Sequence, residues 1–137
     1  MAAISETHAS LRFFGDDLDP SDLTARLGGP PSTCARKGDV IRSEKTGRER
    51  ITKTGSWIVK VERREPGDLD LQVKELLSPL TNDLSIWRSL GKYRPDLFAG
   101  LFLQESNEGI EISTRSLSSL AERGISLALD IYGARPK

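Results

Sequence analysis

Residues 9–29 constrain the fold most, because both ends of a strand and of the helix after it can be located there. Over residues 9–14, Ala9, Leu11 and Phe13 fall on one face, and the residues between them fall on the other. This alternation predicts a strand with one face in the core. Gly15 and the two aspartates after it end the strand.

A short helix is predicted next. Asp19 suits the N-cap because its carboxylate can accept hydrogen bonds from free amides of the first turn, and Pro20 suits the first helical position. Leu23 and Leu27 are four residues apart and share one face. Residues 28–31 read Gly-Gly-Pro-Pro, which cannot continue a helix.

A hairpin and a second core strand follow. Residues 40–42 and 50–52 flank a four-residue turn, which predicts an exposed hairpin of two short strands. Trp57, Val59 and Val61 then alternate with polar residues and with Ile58, which predicts the second core strand.

The helical segment in the middle of the chain is interrupted by a proline. Asp68 or Asp70 can cap it, and apolar residues recur at helical spacing up to residue 80. Pro79 would cost about 3 kcal/mol inside a helix. We therefore expect a break, with Ser78 as a new cap and Pro79 opening a second helix that ends at Gly91.

Three more elements and a turn are predicted towards the C-terminus. Residues 97–104 are apolar on both faces, as in an interior strand, and residues 106–109 form a turn that returns residues 110–112 as the hairpin partner. Ser113 caps a helix that Gly124 closes.

The last strand, over residues 125–132, alternates most clearly, so we expect Leu127 and Leu129 to point into the core. The predicted order is β-α-(ββ)-β-αα-β-β-α-β. This order indicates an α+β fold with a single mixed, mostly antiparallel sheet and helices mainly on one face. We expect a relative of the ferredoxin-like fold with an exposed basic hairpin.

The chain's 137 residues suit a single domain, which we place at residues 9–133 between a flexible N-terminus, residues 1–8, and a tail, residues 134–137. Its 20 basic and 20 acidic residues balance, so no overall field favours nucleic acid or a membrane. No apolar run approaches the roughly 20 residues needed to cross a bilayer. Cys34 is the single cysteine, and the N-terminus lacks a signal-peptide pattern, which indicates a reducing, cytoplasmic location.

The segment from Ser10 to Gly28, SLRFFGDDLDPSDLTARLG, carries a family resemblance. Together with Pro31, Lys37-Gly38, Trp57 and the closing Leu-Asp-Ile-Tyr at residues 129–132, it resembles the bacterial family called domain of unknown function 4279. The likeness covers nearly the whole chain. It implies no established activity and no catalytic residues, so no functional residue is carried over.

Several local patterns fail as catalytic or ligand sites. The acidic residues Asp16, Asp17, Asp19 and Asp22 lack the glycine and the glutamate that a calcium loop needs, so turn and capping roles explain them. The glycines at residues 28–29 close a helix instead of opening one, which argues against a phosphate loop.

The residues for a nucleophilic or metal site are equally scarce. No motif places His8, the single histidine, beside Cys34, and one histidine with one cysteine makes a zinc site improbable. Trp57 and Trp87 lie on apolar faces of their elements and are expected in the core. We therefore predict no cofactor, no metal and no enzymatic activity.

The charge is unevenly spread along the chain. Residues 35–64 hold ten Lys or Arg against four acids, a net charge of plus six, and the remainder carries minus six. The stretch is either an ordinary solvated hairpin or a binding site. The candidate partner-binding residues are Arg42, Lys45, Arg48, Arg50 and Lys53.

These observations predict a small non-enzymatic binding domain that recognises an acidic protein partner through one face of the sheet or through the basic hairpin. Small bacterial immunity proteins that neutralise toxins offer an analogy. The alternative is a nucleic-acid-associated domain that uses residues 35–64, which the neutral whole chain and the lack of an exposed aromatic in this stretch disfavour.

Overall fold

A five-stranded sheet lies at the centre of the computed structural model, which describes residues 2–134. The strands are β1 Ala2–Ala3, β2 Glu6–Gly15, β3 Thr33–Ala35, β4 Val40–Arg42, β5 Glu49–Ile51, β6 Gly55–Lys60, β7 Asp96–Phe102, β8 Glu108–Gly109 and β9 Ser126–Tyr132. The helices are α1 Pro20–Leu27, α2 Leu69–Leu77, α3 Leu84–Ser89 and α4 Thr114–Glu122, with a 3-10 turn at Gly91–Tyr93. Met1 and tail residues 135–137 lie outside the described residues.

The strand order in the main sheet is β3-β6-β2-β7-β9. Neighbouring strands are antiparallel except β7 and β9, which are parallel. The first four strands, with α1 on one connection and α2 and α3 on the other, form the β-α-β-β-α-β pattern of ferredoxin-like folds. The α4-β9 unit adds a fifth strand. The predicted fold class is therefore confirmed. In the described part of the chain, no helix is long and apolar enough to cross a membrane.

The hydrophobic core lies on one face of this sheet. Alternation along β2 directs Ala9, Leu11 and Phe13 to the helices, as predicted, and all three are buried. Trp57 and Trp87 are fully buried against them, which confirms both as core residues.

The first helix is capped as predicted. The Asp19 carboxylate accepts a hydrogen bond from the Ser21 amide at 3.0 Å, and Pro20 occupies the first turn. Gly28 ends the helix with a φ of 83°, a left-handed conformation that glycine adopts without strain.

The break between the middle helices is confirmed, but the second helix begins later than predicted. Asp68, and not Asp70, caps α2. Asp83 caps α3 by accepting from the Ser85 amide at 2.9 Å, so Ser78 and Pro79 do not open it. The chain leaves the helical path after Pro79, where the backbone groups of Thr81 bond outside the helix.

Thr81 makes those bonds. Its amide donates to the Leu27 carbonyl at 2.8 Å, and its carbonyl accepts from the Trp87 indole at 2.9 Å. The linker therefore joins the end of α1 to α3.

The N-terminal residues belong to the folded domain, contrary to the boundary predicted at residue 9. Ala2 and Ala3 pair with Glu108 and Gly109, and β2 already begins at Glu6. Two polar side chains hold this end in place.

Thr7 and Gln72 are those two side chains, and both are fully buried. The Thr7 hydroxyl donates to Gln72 Oε1 at 2.7 Å and accepts from the Asp68 amide at 3.0 Å, while Gln72 Nε2 donates to the Thr7 carbonyl at 2.9 Å. Each of these buried polar groups has a hydrogen-bond partner. The N-terminal segment is therefore fixed in the core although its sequence shows no apolar periodicity.

Residues 110–112 do not form the predicted hairpin with β7. Instead Glu108 and Gly109 form β8, which pairs in parallel with β1. The Glu108 carboxylate accepts from the backbone amides of Ser5, Gln104 and Glu105 at 2.8 to 3.0 Å. These bonds fix the loop after β7 against the N-terminus and leave no return strand.

The core position predicted for Leu129 is wrong. It lies on the same face as the core, opposite Ala99, but β9 is an edge strand and Leu129 is 43% exposed. Ile131, next on that face, is 61% exposed, whereas Leu127 is half-buried. The sequence alternation identified the face correctly, but Leu129 and Ile131 lie beyond the cover that the helices of residues 2–134 provide.

Candidate functional site

The predicted basic hairpin, residues 38–54, forms, with its second strand at Glu49–Ile51, one residue earlier than predicted. Val40 pairs with Ile51 and Arg42 with Glu49, so these four side chains share one face of the β4-β5 ribbon. Arg50 lies on the other face, opposite Ile41. The candidate residues Arg42, Lys45, Arg48, Arg50 and Lys53 are all exposed, but they do not converge on one surface.

The charges at the base of the hairpin are neutralised, and those along it are not. Arg36 binds Asp19 at 2.7 Å and Lys37 binds Asp16 at 3.3 Å, which anchors the base to the turn before α1. No ion pair within 4.0 Å forms between an acidic group of residues 2–134 and any of the five candidate residues or Lys60. The hairpin therefore presents positive charge available to a partner.

The hairpin also exposes apolar surface. Val40 is 61% and Ile51 is 68% exposed, and they face each other across the two strands. An isolated two-stranded ribbon is marginally stable in water, so this cross-strand pair helps to hold the hairpin while remaining open to contact.

The sheet face opposite the helices is a second candidate surface, which we call the open face. Arg12 is at its centre, with its guanidinium 4.2 Å from the ring centre of Phe98 and 5.3 Å from that of Phe14. Asp96 binds this guanidinium through two hydrogen bonds of 2.8 Å, which raise the pKa of Arg12. Arg12 is therefore held in one orientation by an ion pair and two aromatic rings.

A row of three rings crosses the open face beside this cluster. The ring of Phe102 is 4.9 Å from the ring of His8 and 4.4 Å from that of Tyr132, measured between centres. His8 also pairs with Glu6 and lowers the pKa of that carboxyl group. The Tyr132 hydroxyl donates to Asp130 at 2.6 Å, which raises the pKa of the phenol.

The orientation of these rings limits what they can bind. Phe102 and Tyr132 are directly opposite on neighbouring strands, and their planes differ by 4°. Because neighbouring strands are about 4.8 Å apart, the rings stack along the inter-strand direction and stand out of the sheet. Arg12 covers one face of Phe98, and His8 flanks Phe102 on the side away from Tyr132. Base stacking requires free ring faces; Phe102 has a ring on each side, and Phe98 and Tyr132 each have one face occupied.

The open face forms a groove of about 430 Å³, lined by Ser10, Arg12, Ile58, Lys60, Phe98 and Tyr132 among others. A sheet face was predicted as a binding surface, but none of these residues was named as a candidate. Its signal was present, because Arg12 and Phe14 alternate with the core residues of β2, and Phe98 and Phe102 with those of β7.

A second groove, of about 460 Å³, separates α2 from α4, and its polar groups serve the fold. The Asp70 carboxylate accepts from the Ser116 hydroxyl at 2.6 Å and from the Ser113 amide at 3.0 Å. Burial opposes ionisation of Asp70, but these hydrogen bonds outweigh it and lower the pKa of its carboxyl group. Asp70 therefore joins the two helices.

The acidic cluster before and within α1 is matched by basic side chains. Asp16 and Asp19 bind the base of the hairpin as described, Asp17 binds Lys92 at 3.1 Å, and Asp22 binds Arg26 at 3.2 Å. Within residues 2–134, no group of three potential metal ligands comes together. The carboxylates act in capping and pairing.

His8 and Cys34 lie on opposite faces of the sheet. His8 is opposite Gly100 on the open face, whereas Cys34 is opposite Trp57, whose side chain is in the core layer. The structure therefore does not bring them together as a nucleophile and a base. Cys34 is an exposed free thiol.

Comparisons with known proteins give one finding. A family model described as "Domain of unknown function (DUF4279)" matches residues 5–134, which include every strand of the main sheet, the open face and the hairpin. No curated protein and no solved structure matches the chain. The resemblance carried by residues 10–28 is thereby confirmed, and the chain belongs to the DUF4279 family.

Proposed function

We propose that this chain is a non-enzymatic protein-recognition domain whose open face contacts an acidic partner protein. The observation that carries the proposal is the Arg12 cluster, in which one arginine is fixed between Phe14 and Phe98. Aromatic residues and arginine dominate the energetic centres of protein interfaces. Because Asp96 already orients the guanidinium, binding would cost little side-chain entropy.

The basic hairpin supports an acidic partner. It leaves the sheet beside Phe14, because β3 ends at Ala35, which pairs with Ser56, which in turn pairs with Phe14. Its unpaired cations therefore extend from one end of the open face. Charges in this position steer a partner of opposite sign and raise its association rate.

Ring geometry favours a protein over a nucleic acid. The rings of Phe98, Phe102 and Tyr132 each have at least one side occupied by Arg12, His8 or another ring, which reduces the ring surface on which bases could stack. The exposed thiol of Cys34 also supports a reducing compartment such as the cytoplasm.

The test compares two substitutions of equal exposure. Phe14 on the open face and Leu71 on α2 are both 37% exposed, so Phe14→Ser and Leu71→Ser remove similar accessible apolar surface. A protein that the wild-type chain retains from a lysate is purified and titrated against each variant. We expect Phe14→Ser to weaken binding roughly tenfold or more, as for an interface centre, and Leu71→Ser to leave it unchanged.

A second pair of variants tests the hairpin. Arg48→Glu with Arg50→Glu should slow association, whereas Arg88→Glu with Arg115→Glu, on the helical side, should not.

Equal effects of Phe14→Ser and Leu71→Ser would refute the open face as the contact surface. Tight binding of random-sequence nucleic acid, with a log-log salt slope of about 0.7 to 0.9 per phosphate, would favour the nucleic-acid alternative.

A further inference from the structure

The two edges of the main sheet differ in how they are protected. At one edge, β3 has only three residues and follows Pro30 and Pro31. At the other edge, β9 has seven residues, of which Asp130 is the one charged residue, and it contains no Lys, Arg, Pro or Gly. Long edge strands with so little charge and no proline readily pair with another strand. The outer side of β9 is therefore the less protected edge of the sheet.

Backbone hydrogen bonds show which residues of β9 face outward. Ser126 donates its amide to the Pro95 carbonyl, and the Tyr132 carbonyl accepts from the Leu103 amide, so both residues point their backbone groups towards β7. Backbone direction alternates along a strand. The amides and carbonyls of Leu127, Leu129 and Ile131 therefore point to the open edge.

These three residues can pair with the same three residues of a second copy of the chain. When two β9 strands run antiparallel with Leu129 opposite Leu129, Leu127 pairs with Ile131 twice, and all three outward residues exchange backbone hydrogen bonds. Asp130 then faces Ala128. If the register moved so that Leu129 paired with Ile131 of the other copy, the Asp130 side chains of the two copies would lie directly opposite each other. Like charges in that position are destabilising.

The opposite shift would pair Leu127 with Leu129 and Ile125 with Ile131 of the other copy. The Ile125 amide is not free for that pairing, because it already donates to the Leu120 carbonyl at 2.9 Å. The register centred on Leu129 is therefore the one that uses every outward residue without conflict.

Helix α4 extends the same surface. Ser116, Ser119 and Arg123 line the groove towards α2, which places Leu117 and Ala121 on the opposite side of the helix, towards the β9 edge. Leu117 is 45% exposed and Ala121 is also exposed. Together with Leu129 and Ile131 they form an uncharged apolar surface, which suits a second copy better than a charged partner.

We propose that two copies of this chain associate through the β9 edge, so that their main sheets join into one continuous ten-stranded sheet about a twofold axis. The α4 helices of the two copies would approach each other over the join. The open face and the basic hairpin stay free, so the dimer goes beyond the proposed function and does not depend on it.

Sedimentation velocity over a wide concentration range tests the association. The wild-type chain should form a dimer that dissociates on dilution. Ile131→Lys should raise the dissociation constant on the order of tenfold or more, because each lysine would be desolvated against Leu127 of the other copy. Ile51→Lys, at the comparably exposed 68% site on the hairpin, is the control and should have no effect.

Crosslinking tests the register in a Cys34→Ser background. Residues in a hydrogen-bonded antiparallel pair have Cα atoms about 5.5 Å apart, within the roughly 4.4 to 6.8 Å that a disulfide spans. Leu129→Cys should therefore oxidise to a covalent dimer. Leu127→Cys should not, because its copy would be four residues away along the strand, about 13 Å.

Three outcomes would overturn the proposal. These are a wild-type chain that stays monomeric at every concentration, a dimer that Ile131→Lys leaves intact, and a crosslink at position 127 without one at position 129. Thermal unfolding of each variant verifies that the domain is folded.

Discussion

The two faces of the main sheet both carry aromatic side chains, but different neighbours hold them. On the covered face, the ring of Phe13 is 5.6 Å from that of Trp57 and 6.1 Å from that of Trp87, which a helix supplies. On the open face, Phe98 contacts Arg12, and Phe102 contacts His8 and Tyr132, all of which come from adjacent strands. The covered face is held by packing between layers, and the open face by contacts within one layer.

This difference separates stability from recognition. An aromatic residue on the covered face contacts helices and strands together, so its loss affects the whole core. The open-face aromatics are held in place by Arg12 and His8 without being enclosed. They can therefore remain ordered and still be available to a partner.

The comparison is tested most strongly by truncating one ring on each face. Phe13→Ala should lower the free energy of unfolding by about 3 to 5 kcal/mol, as for a fully buried ring. Phe98→Ala should cost only about 1 to 2 kcal/mol, because mainly its stacking with Arg12 is lost. Urea denaturation measures both. Equal costs would mean that the open face is packed like a core.

Coverage can also be compared along one face. Leu11→Ala, at a fully buried position, should cost about 2 to 5 kcal/mol. Leu129→Ala should cost about 1 kcal/mol in dilute solution, since much of that side chain is already in water. If both leucines cost the same, the edge of the sheet is covered in a way that the structure does not show.

The stability of the covered face depends on the N-terminal cap of α1. Asp19→Ala should lower the free energy of unfolding by about 0.5 to 2 kcal/mol, because the first-turn amides lose their acceptor. Asp17→Ala is the control, since it removes only an exposed ion pair with Lys92, worth about 0 to 1 kcal/mol. An unchanged denaturation midpoint for Asp19→Ala would argue against the cap.

The smallest effect concerns the bond between α2 and α4. The pKa of Asp70 is lower in the folded chain than in the unfolded chain. The stabilisation that the ionised carboxylate gives is therefore complete above the unfolded pKa of about 3.9, and it is lost as the pH falls towards the folded pKa. Asp70→Asn should therefore flatten the loss of stability below about pH 4. Parallel pH profiles for the two chains, from urea midpoints, would contradict this role.

Local chemistry explains what the sequence could predict. Asp19, Pro20 and Gly28 define α1 by residue type alone, and Pro79 breaks the middle helix in the same way. Alternation located the core face of β2. Each of these signals lies within a few residues, so no knowledge of the tertiary structure was needed.

Contacts between distant residues explain what it could not. Thr7 looked like part of a loose terminus because its partner Gln72 is 65 residues away. Leu129 alternates as regularly as Leu11, but burial depends on whether a helix covers the strand. A binding face of the sheet was predicted, but its residues were not, because Phe98 and Phe102 indicated an interior strand and their side of the sheet became evident only in the folded chain.

The central claim is that the sheet has one covered face and one face free for a partner. Neighbouring residues of β2 test it directly, because Ala9 is buried in the core and Ser10 lies on the open face. In a Cys34→Ser background, Ala9→Cys and Ser10→Cys change side-chain volume little, and native-state thiol labelling compares them. We expect the thiol at position 10 to react in the folded protein and the thiol at position 9 to react only through unfolding. Equal protection at both positions would contradict the account.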